Sequence, residues 1–303
     1  MKKIIRTSLF ASLILVACQR EVSDEKKQTP PGTLNDFFQQ NRSSFETFTI
    51  TSSSPEQVVT SKGTKLFFPP NAFVDENNTP VNGNINVGVK EIVTPLEMIF
   101  TDMPTSSGGR LLESGGEYYI TLKQTNRNLK LASGNFLKIQ LPDAGGTANG
   151  MQVFNGAAAA DGSINWIENN KPGNVVVSDS VLYTGRTLFC DSIDWVNCDK
   201  FINDPTVEFT VYPGNTPSAD STNVFVHLTG RNTVAKLYPA QGSNYFKSNM
   251  LPAVPSTIIG ISKKNGQFYA SIIPVNIQNG QSATLNFLPY TPEQLKVTLG
   301  SLR

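Results

Sequence analysis

The stretch GNINVGVKEI, residues 83–92, carries the pattern that decides the fold class of this 303-residue chain. Its apolar residues Ile85, Val87 and Val89 alternate with polar residues and glycine. Because successive side chains of a β-strand point to opposite faces, this period of two predicts a strand with one buried face. The same alternation, bounded by Gly, Asn or Pro, recurs in FETFTITS (45–52), VVTSKGTKLFFPPNAF (58–73), EYYITLKQT (117–125), NFLKIQLP (135–142) and GMQVFNG (150–156). Within residues 58–73 we expect a pair of strands joined at Lys62-Gly63. Short strands at this spacing predict an all-β sandwich or barrel.

The chain is long enough for a second domain of ordinary size. Strand patterns return over residues 205–303, where Asn265-Gly266 supplies the positive φ angles of a tight type I′ hairpin turn. We therefore expect a second β-sandwich that resembles the immunoglobulin or transthyretin fold. A short helix is expected to close the chain, with Thr291 as its N-cap, Pro292 at its first position and Gln294 at the capping-box position.

The first 18 residues, MKKIIRTSLFASLILVAC, begin with basic side chains and continue with an apolar run, Leu9–Ala17. This run is too short for a permanent transmembrane helix and typical of a secretory signal peptide. It ends in Leu15-Val16-Ala17-Cys18, which resembles the lipobox of bacterial lipoproteins. The resemblance implies removal of a signal peptide, residues 1–17, a diacylglycerol on the Cys18 sulfur, and a fatty acid such as palmitate on its amine. Several acyl chains give a stable membrane anchor. The alternative is an ordinary secretory peptide beside a chance cysteine.

Residues 18–44 are polar and interrupted by prolines, and we expect them to form a flexible, lipidated tether. Its last part, TLNDFFQQNRSSF, could form a helical turn or two with Thr33 as the N-cap. The charged residues Gln19-Arg20-Glu21 and Asp24-Glu25 resemble a short signal that sends some Bacteroidota lipoproteins to the outer face of the outer membrane. We therefore expect an outer-membrane protein at the cell surface, with the periplasmic face as the alternative.

The segment KLFFPPNAFVDENNTPVNGNINVGVKEI, residues 65–92, resembles the opening of the ZU-five domain, the β-sandwich module of ankyrins and netrin receptors. The strands GGEYYITL and LKIQLP continue the pattern in the same order, so the resemblance covers about residues 50–145. It implies a ZU-five-like sandwich with a C-terminal extension, residues 45–187, that binds partners or acts as a scaffold. Some ZU-five domains cleave themselves at a His-Phe-Ser site. The only histidine here, His227, lies outside the matching region and precedes Leu228-Thr229, so self-cleavage is not implied.

The stretch LFCDSIDWVNCDKF, residues 188–201, is the densest cluster of chemically versatile side chains. Cys190 and Cys198 lack the spacing of a redox C-x-x-C pair and the further soft ligands of an ordinary zinc site. A calcium loop built from Asp191, Asp194, Asn197 and Asp199 is a further alternative. In an oxidising compartment the two cysteines could form a disulfide, or they could remain buried thiols that act as small apolar residues.

The same stretch resembles a GW-x-N-C-D-R-F motif of bacterial envelope proteins, in which the motif follows a ZU-five-like domain. This chain departs from the motif at Asp194, where the motif has Gly, and at Lys200, where it has Arg. The resemblance implies a junction between two domains at residues 188–204. The residues expected to build it are Trp195, Asn197, Cys198 and Asp199.

Candidate catalytic groups are few, and we expect no enzyme activity, no metal and no cofactor. The pattern VFVHLTG predicts that His227 lies in a strand, facing solvent or satisfied in the core. The carboxylates Glu113 and Glu117 flank Gly115-Gly116, which we expect to form a turn, and a glycosidase pair at this turn is the weaker interpretation. Asp75–Asn78 is expected to form a plain turn rather than a calcium loop.

The chain has a net charge of +1 and no basic stripe, so we expect no nucleic-acid partner. The sequence predicts a lipid-anchored binding or scaffolding protein of the cell envelope, with the membrane and an unidentified protein or glycan as partners. The alternative is a glycan-binding accessory lipoprotein of a nutrient-uptake system, and a hydrolase is a weaker one. A glycan-binding protein would need an exposed aromatic platform, whereas Trp166 and Trp195 lie in contexts that predict burial.

Overall fold

A computed structural model of the protein describes residues 32–142, 150–158, 164–180, 183–214 and 222–302. The predicted signal peptide, Cys18, most of the tether and the glycine pair Gly145-Gly146 lie outside this range. The described residues belong to one compact unit. No helix in the described part of the chain is long and apolar enough to cross a membrane.

The first two-thirds of the chain forms a pair of packed sheets and one small ribbon. The strands are β1 (Glu46–Thr51), β2 (Glu56–Val59), β3 (Lys65–Phe68), β4 (Phe73–Val74), β5 (Asn84–Ile92), β6 (Ser106–Ser107), β7 (Arg110–Gln124), β8 (Arg127–Asn128), β9 (Lys130–Leu131), β10 (Leu137–Pro142), β11 (Gln152–Ala158), β12 (Ile164–Glu168), β13 (Val175–Ser180), β14 (Tyr183–Cys190) and β15 (Asp194–Phe201). Sheet I has the order β1-β5-β7-β15-β11-β12, with β6 and β8 attached to β7, and sheet II has the order β13-β14-β10-β3-β2. β4 pairs with β9.

The alternating apolar residues of these strands meet between sheets I and II. Ile85, Val87 and Val89 of β5 are buried in one cluster with Leu66 of β3 and Ile139 of β10. Their polar neighbours face the opposite side of the sheet because the side-chain period is two. The alternation in the sequence therefore specifies a sandwich.

The last third forms a second pair of sheets. Its strands are β16 (Thr206–Tyr212), β17 (Thr222–Leu228), β18 (Val234–Leu237), β19 (Phe246–Pro252), β20 (Pro255–Lys264), β21 (Gln267–Asn276), β22 (Ser282–Thr284) and β23 (Leu288–Tyr290). Sheet III has the order β19-β16-β22, and sheet IV has the order β18-β17-β20-β21-β23. Phe209 and Phe246 of sheet III pack against Val224 and Ile258 of sheet IV in a buried cluster of their own.

Three short helices lie in a third apolar cluster that both pairs of sheets share. They are α1 (Leu34–Asn41), α2 (Pro95–Thr101) and α3 (Pro292–Gly300). Phe37 of α1 lies 5.4 Å from the ring of Phe100 in α2 and 4.9 Å from the ring of Phe268 in sheet IV. The cluster also contains Ile92 and Phe154 of sheet I. The helices therefore join the outer faces of sheets I and IV.

The all-β fold class is confirmed. The Lys62-Gly63 and Asn265-Gly266 hairpins form as expected, with φ of 50° at Asn265 and 80° at Gly266. α3 has the expected Thr291–Gln294 capping box. The division into two separate domains stays a prediction, because the described residues form one compact unit with a shared core.

The boundary of the flexible tether at residue 44 was wrong. Thr33 caps α1, with a capping box completed by Asp36, and both Phe37 and Phe38 are fully buried. Two adjacent phenylalanines that remove their rings from water stabilise the docked helix enough to offset its ordering entropy. The helix α1 is therefore part of the folded body.

The predicted junction at residues 188–204 was also wrong in its placement. Cys190 ends β14 of sheet II, and Asp194–Phe201 is β15, which lies between β7 and β11 in the centre of sheet I. A central strand pairs along both edges and is covered on both faces, so Asn197, Cys198 and Asp199 are all buried. The motif is part of the first sandwich and does not link two domains.

Candidate functional site

Gly115-Gly116 forms a β-bulge in the middle of β7 and not the turn expected from the sequence. Asn197 of β15 pairs with Glu117 and Asp199 pairs with Ser114, so two residues of β7 oppose Cys198 alone. A Cβ atom on Gly115 would lie 2.7 Å from the Cys198 carbonyl oxygen and 2.8 Å from Nη1 of Arg186. The bulge therefore needs glycine at this position.

The bulge brings two carboxyl groups together inside the protein. Glu117 and Asp199 are both fully buried, and neither Glu117 oxygen has a hydrogen-bond partner among the residues that the structure describes. Asn197 Nδ2 donates to Asp199 Oδ2 over 2.5 Å. Ser114 Oγ donates to Asn197 Oδ1 over 3.3 Å. The result is a polar cluster on the covered face of sheet I.

Burial controls the protonation of this pair. Loss of hydration raises the pKa of Glu117 well above its usual range, and the neighbouring charge of Asp199 raises it further. Burial also raises the pKa of Asp199 well above its usual range, although hydrogen bonds from Ser114 and Asn197 act in the opposite direction. The pair therefore holds protons that the same groups would release in water.

A cavity of about 380 Å³ lies beside the bulge and has charged residues of both signs in its lining; we call it the mixed-charge cavity. Its charged lining residues are Lys62, Glu91, Glu113 and Arg186. Lys62 forms an ion pair with Glu97, and Glu113 lies 3.3 Å from Lys200. Glu91 is buried, and neither of its carboxylate oxygens has a hydrogen-bond partner. The lining of this cavity therefore combines neutralised charges with one buried carboxyl group.

A second cavity, of about 400 Å³, lies where sheet I, the helices and sheet IV meet; we call it the basic cavity. Arg42, Lys90 and Lys236 supply its positive charges, and Asp102 supplies its negative charge. Lys236 lies 2.7 Å from Asp102 and forms an ion pair with it. In the described part of the chain no carboxylate lies within ion-pair distance of Arg42 or Lys90. The cavity therefore has an excess of positive charge.

The two cations without acidic partners are close enough to affect each other. Burial lowers the pKa of Lys90, and the positive charge of Arg42 lowers it further. Lys90 Nζ lies 4.7 Å from the centre of the Phe45 ring, a cation–π contact that partly offsets the lost hydration. An anion in the basic cavity would remove the remaining repulsion.

One wall of the basic cavity belongs to a row of aromatic rings across the outer face of sheet I. Phe45 lies 5.6 Å from Tyr119, which stacks on Trp195 at 4.6 Å with an angle of 20° between the ring planes. Trp195 meets the buried Trp166 edge-on at 6.1 Å. A Cβ on Gly156 would come within 2.4 Å of the Trp195 Cβ, so this glycine leaves the space that Trp195 occupies. Burial is confirmed for Trp166, whereas Trp195 is only half-buried.

Several polar atoms of residues that line the basic cavity have no protein partner. They are Arg42 Nε, Thr101 Oγ1 and Asp102 Oδ1. The first is a donor, the carboxylate oxygen is an acceptor, and the hydroxyl can be either. A buried polar group without a partner costs free energy. All three atoms are enclosed by the protein, so a ligand would recover this free energy only by displacing the side chains that cover them.

Cys190 and Cys198 are free, buried thiols, which is the second of the two alternatives left open by the sequence. Burial raises the pKa of Cys198 to about 12 and that of Cys190 far above its usual range. Both lie in the core between sheets I and II. Neither is positioned as a thiolate nucleophile, since that role needs a lowered pKa.

The other candidates from the sequence have structural roles. His227 is buried in β17, and its Nε2 lies 3.1 Å from the Arg231 carbonyl oxygen. Asp75 Oδ1 accepts hydrogen bonds from the backbone N–H groups of Asn77 and Thr79, each over 2.9 Å, as in a plain turn. Asp191 pairs with Lys171. Within the described ranges no group of three or more His, Cys, Asp or Glu side chains could hold a metal ion.

Sequence reasoning missed the residues that give the basic cavity its charge. Lys90 lies on the polar side of the β5 alternation, where solvent exposure was the natural expectation. Arg42 follows α1, and Lys236 lies in β18, far away along the chain. One local signal near the cavity could have been found, namely the start of helix α2. The sequence TPLE has Thr94 as N-cap, Pro95 at the first helical position and Glu97 in a capping box.

No protein-family model matches the chain, and no curated protein matches it either. The ZU-five and lipobox resemblances therefore remain expectations from the sequence.

Proposed function

We propose that this chain is a cell-envelope lipoprotein that is anchored through Cys18 in the outer membrane and binds a ligand with its all-β body. The lipobox-like Leu15–Cys18 supports the anchor, and the charged residues that follow support the cell surface over the periplasmic face. The proposal is a binding function without catalysis, with an envelope protein or glycan as the partner.

The observation that carries the proposal is the basic cavity. Its lining includes two cations without acidic partners and polar atoms without hydrogen-bond partners. Such groups destabilise the free protein, because half-buried charges and enclosed polar atoms lose hydration. Their concentration in one cavity of about 400 Å³, rimmed by aromatic side chains, is typical of ligand-binding sites.

A second candidate, a glycan-binding accessory protein of a nutrient-uptake system, is favoured by the aromatic walls of this cavity. Trp195 is half-buried and held flat against Tyr119. Tyr238, which also lines the cavity, is 57% exposed. Aromatic faces of this kind can pack against the apolar faces of sugar rings.

Photo-crosslinking in the native membrane tests the binding function. A benzoylphenylalanine in place of Tyr238, at the basic cavity, is expected to capture a specific partner when intact cells are irradiated. The matched control is the same substitution at Phe136, which is 47% exposed and lies far from this cavity, just before β10 of sheet II. Equal capture at both positions, or none at Tyr238, would contradict the proposal.

Digestion of intact cells with an added protease tests the location. A surface protein is expected to be cleaved, whereas protection of the chain in intact cells and cleavage after lysis would reject surface display.

A further inference from the structure

We infer that the basic cavity binds an acidic saccharide, a sugar ring that carries a carboxylate and free hydroxyl groups. The inference rests on the proposed binding function and specifies the chemical class of the ligand. It follows from three features of the lining that each match one part of such a molecule.

The carboxylate of the ligand matches Arg42 and Lys90. Neither has an acidic partner among the described residues, and Arg42 Nε lacks any hydrogen-bond partner. Arg42 Nη1 already donates to Gln39 Oε1 over 3.0 Å. A ligand carboxylate would therefore meet the remaining N–H groups of the guanidinium, and the ammonium group of Lys90 adds a second charge. Lys236 is already neutralised by Asp102, so the net charge left for a ligand is that of Arg42 and Lys90.

The hydroxyl groups of the ligand match two polar atoms that the protein encloses and that a ligand would reach by displacing the side chains over them. Asp102 Oδ1 accepts no hydrogen bond although Asp102 Oδ2 binds Lys236. Asp102 ends α2 with φ of 57°, a left-handed conformation that places its side chain at the end of the helix beside Thr101. Thr101 Oγ1 also lacks a partner. Sugar hydroxyls donate to a carboxylate and both donate to and accept from a threonine.

The apolar face of the sugar ring matches the aromatic side chains. Trp195 is fixed between Tyr119, which stacks on it, and Trp166, which meets it edge-on. A rigid indole loses little entropy when a ring packs against it. Tyr238 lies on the exposed rim, where Lys236 Nζ is 5.5 Å from its ring centre. A simple anion such as acetate would leave both rings unused.

Titration calorimetry on the detergent-solubilised full-length protein can test this with three probes: methyl β-glucuronide, methyl β-glucoside and acetate. The glucuronide is expected to bind at least about tenfold more tightly than the glucoside or acetate, since loss of one charge-assisted contact costs at least this factor. Lys90→Met, which removes the charge and keeps the apolar stem, is expected to weaken glucuronide binding by about tenfold or more and to leave glucoside binding unchanged.

Lys138→Met is the matched control, because Lys138 also lies over a phenylalanine ring, at 4.3 Å from the centre of Phe67, but on sheet II. It is expected to leave all three affinities unchanged, and thermal unfolding of both variants shows that they are folded.

Equal affinities for glucuronide and glucoside would overturn the acidic ligand and leave a neutral sugar site in place. Glucuronide binding that survives Lys90→Met would move the site elsewhere and overturn the inference. Absence of binding by all three probes would also overturn it, while photo-crosslinking at Tyr238 decides separately whether the cavity binds any partner.

Discussion

Glu117 and Asp199 are fully buried in the centre of a sheet, which is rare for acidic residues. The positive charge of the buried Arg186 lowers the pKa of Asp199, but burial raises it by more. Glu117 pairs across the strands with Ile92 on one side and Asn197 on the other, and Asn197 pairs in turn with Phe154. This row of side chains faces the shared apolar cluster. Burial raises the pKa of Glu117 in this row and that of Asp199 two residues further along β15. Both carboxyl groups therefore keep their protons in the folded protein, and the stability depends on pH.

We predict that stability falls as the pH rises above about 4.5, the ordinary pKa of a glutamate. In the window between this value and the raised pKa of the folded state, the unfolded chain releases a proton that the folded chain keeps, so folding becomes less favourable. Each such group contributes a slope of up to about 1.4 kcal/mol per pH unit. A glutamine at position 117 is neutral in both the folded and the unfolded state, so Glu117→Gln should remove the contribution of this one carboxyl group to the pH dependence. Urea unfolding at pH 5 and pH 8 measures the free energy of unfolding of both proteins. An unchanged pH dependence in the variant would contradict the prediction.

The thiols of Cys190 and Cys198 give a second prediction at this scale. Because both are buried and their pKa values are raised, iodoacetamide should label neither in the folded protein. After unfolding in denaturant without any reductant, both should be labelled, since no disulfide holds them. Peptide mass spectrometry measures both states. Two unlabelled cysteines after unfolding would mean that a disulfide had formed.

At the scale of elements, α1 is a helix whose stability depends on the packing of two side chains. The helix has only eight residues, too few to be stable by itself in water. Its Thr33–Asp36 capping box is local, but Phe37 and Phe38 bury their rings against α2 and sheet IV. Tertiary packing therefore holds this helix.

We predict that Phe37→Ala lowers the free energy of unfolding by about 3–5 kcal/mol, because it opens a cavity in the shared cluster. Phe136→Ala, at a ring that is 47% exposed, is the control and should cost less than about 1 kcal/mol. Urea unfolding of both variants measures the difference. If the two losses were equal, α1 would not be docked on the body.

The strands show how far local sequence patterns determine elements. Alternation in β5 and β10 identified both the strands and their buried faces, and the turn residues at Lys62-Gly63 and Asn265-Gly266 identified two hairpins. Gly115-Gly116 looked like another turn, but β7 continues through it as a bulge. A glycine pair permits either conformation, and the neighbouring strand β15, far along the chain, decided between them.

At the scale of the whole molecule, the proposed lipid anchor gives the last prediction. Cys18→Ser should abolish incorporation of a labelled palmitate analogue and move the protein from the membrane fraction to the soluble fraction, because the thioether needs a sulfur atom. Cys190→Ala is the matched cysteine control and should keep the label. A labelled Cys18→Ser protein would place the acyl chains on another residue.

The shared cluster explains why the candidate sites could not be predicted from the sequence. Hydrogen bonds also connect the first sandwich to the β17–β18 loop: Thr233 Oγ1 donates to the Leu112 carbonyl oxygen over 3.0 Å, and Asn232 Nδ2 donates to the Ser114 carbonyl oxygen over 2.9 Å. These contacts span more than a hundred residues of sequence. Arg42, Lys90 and Lys236 meet at one cavity only because this packing brings α1, β5 and β18 together.

The sequence by itself determined the all-β class, the strand faces, two hairpins and the caps of α1 and α3, because these depend on side-chain period and on backbone preferences within a few residues. It placed Glu117 at the start of a strand beside an expected turn, but it could not show that the helices and sheet IV cover one face of this strand. The tertiary structure decided that LFCDSIDWVNCDKF ends one strand and forms a central one, and that Trp195 lines a basic cavity. The physical reason is that the spacing of apolar residues along the chain identifies which face of a strand or helix is buried. Only long-range packing determines which other elements cover that face.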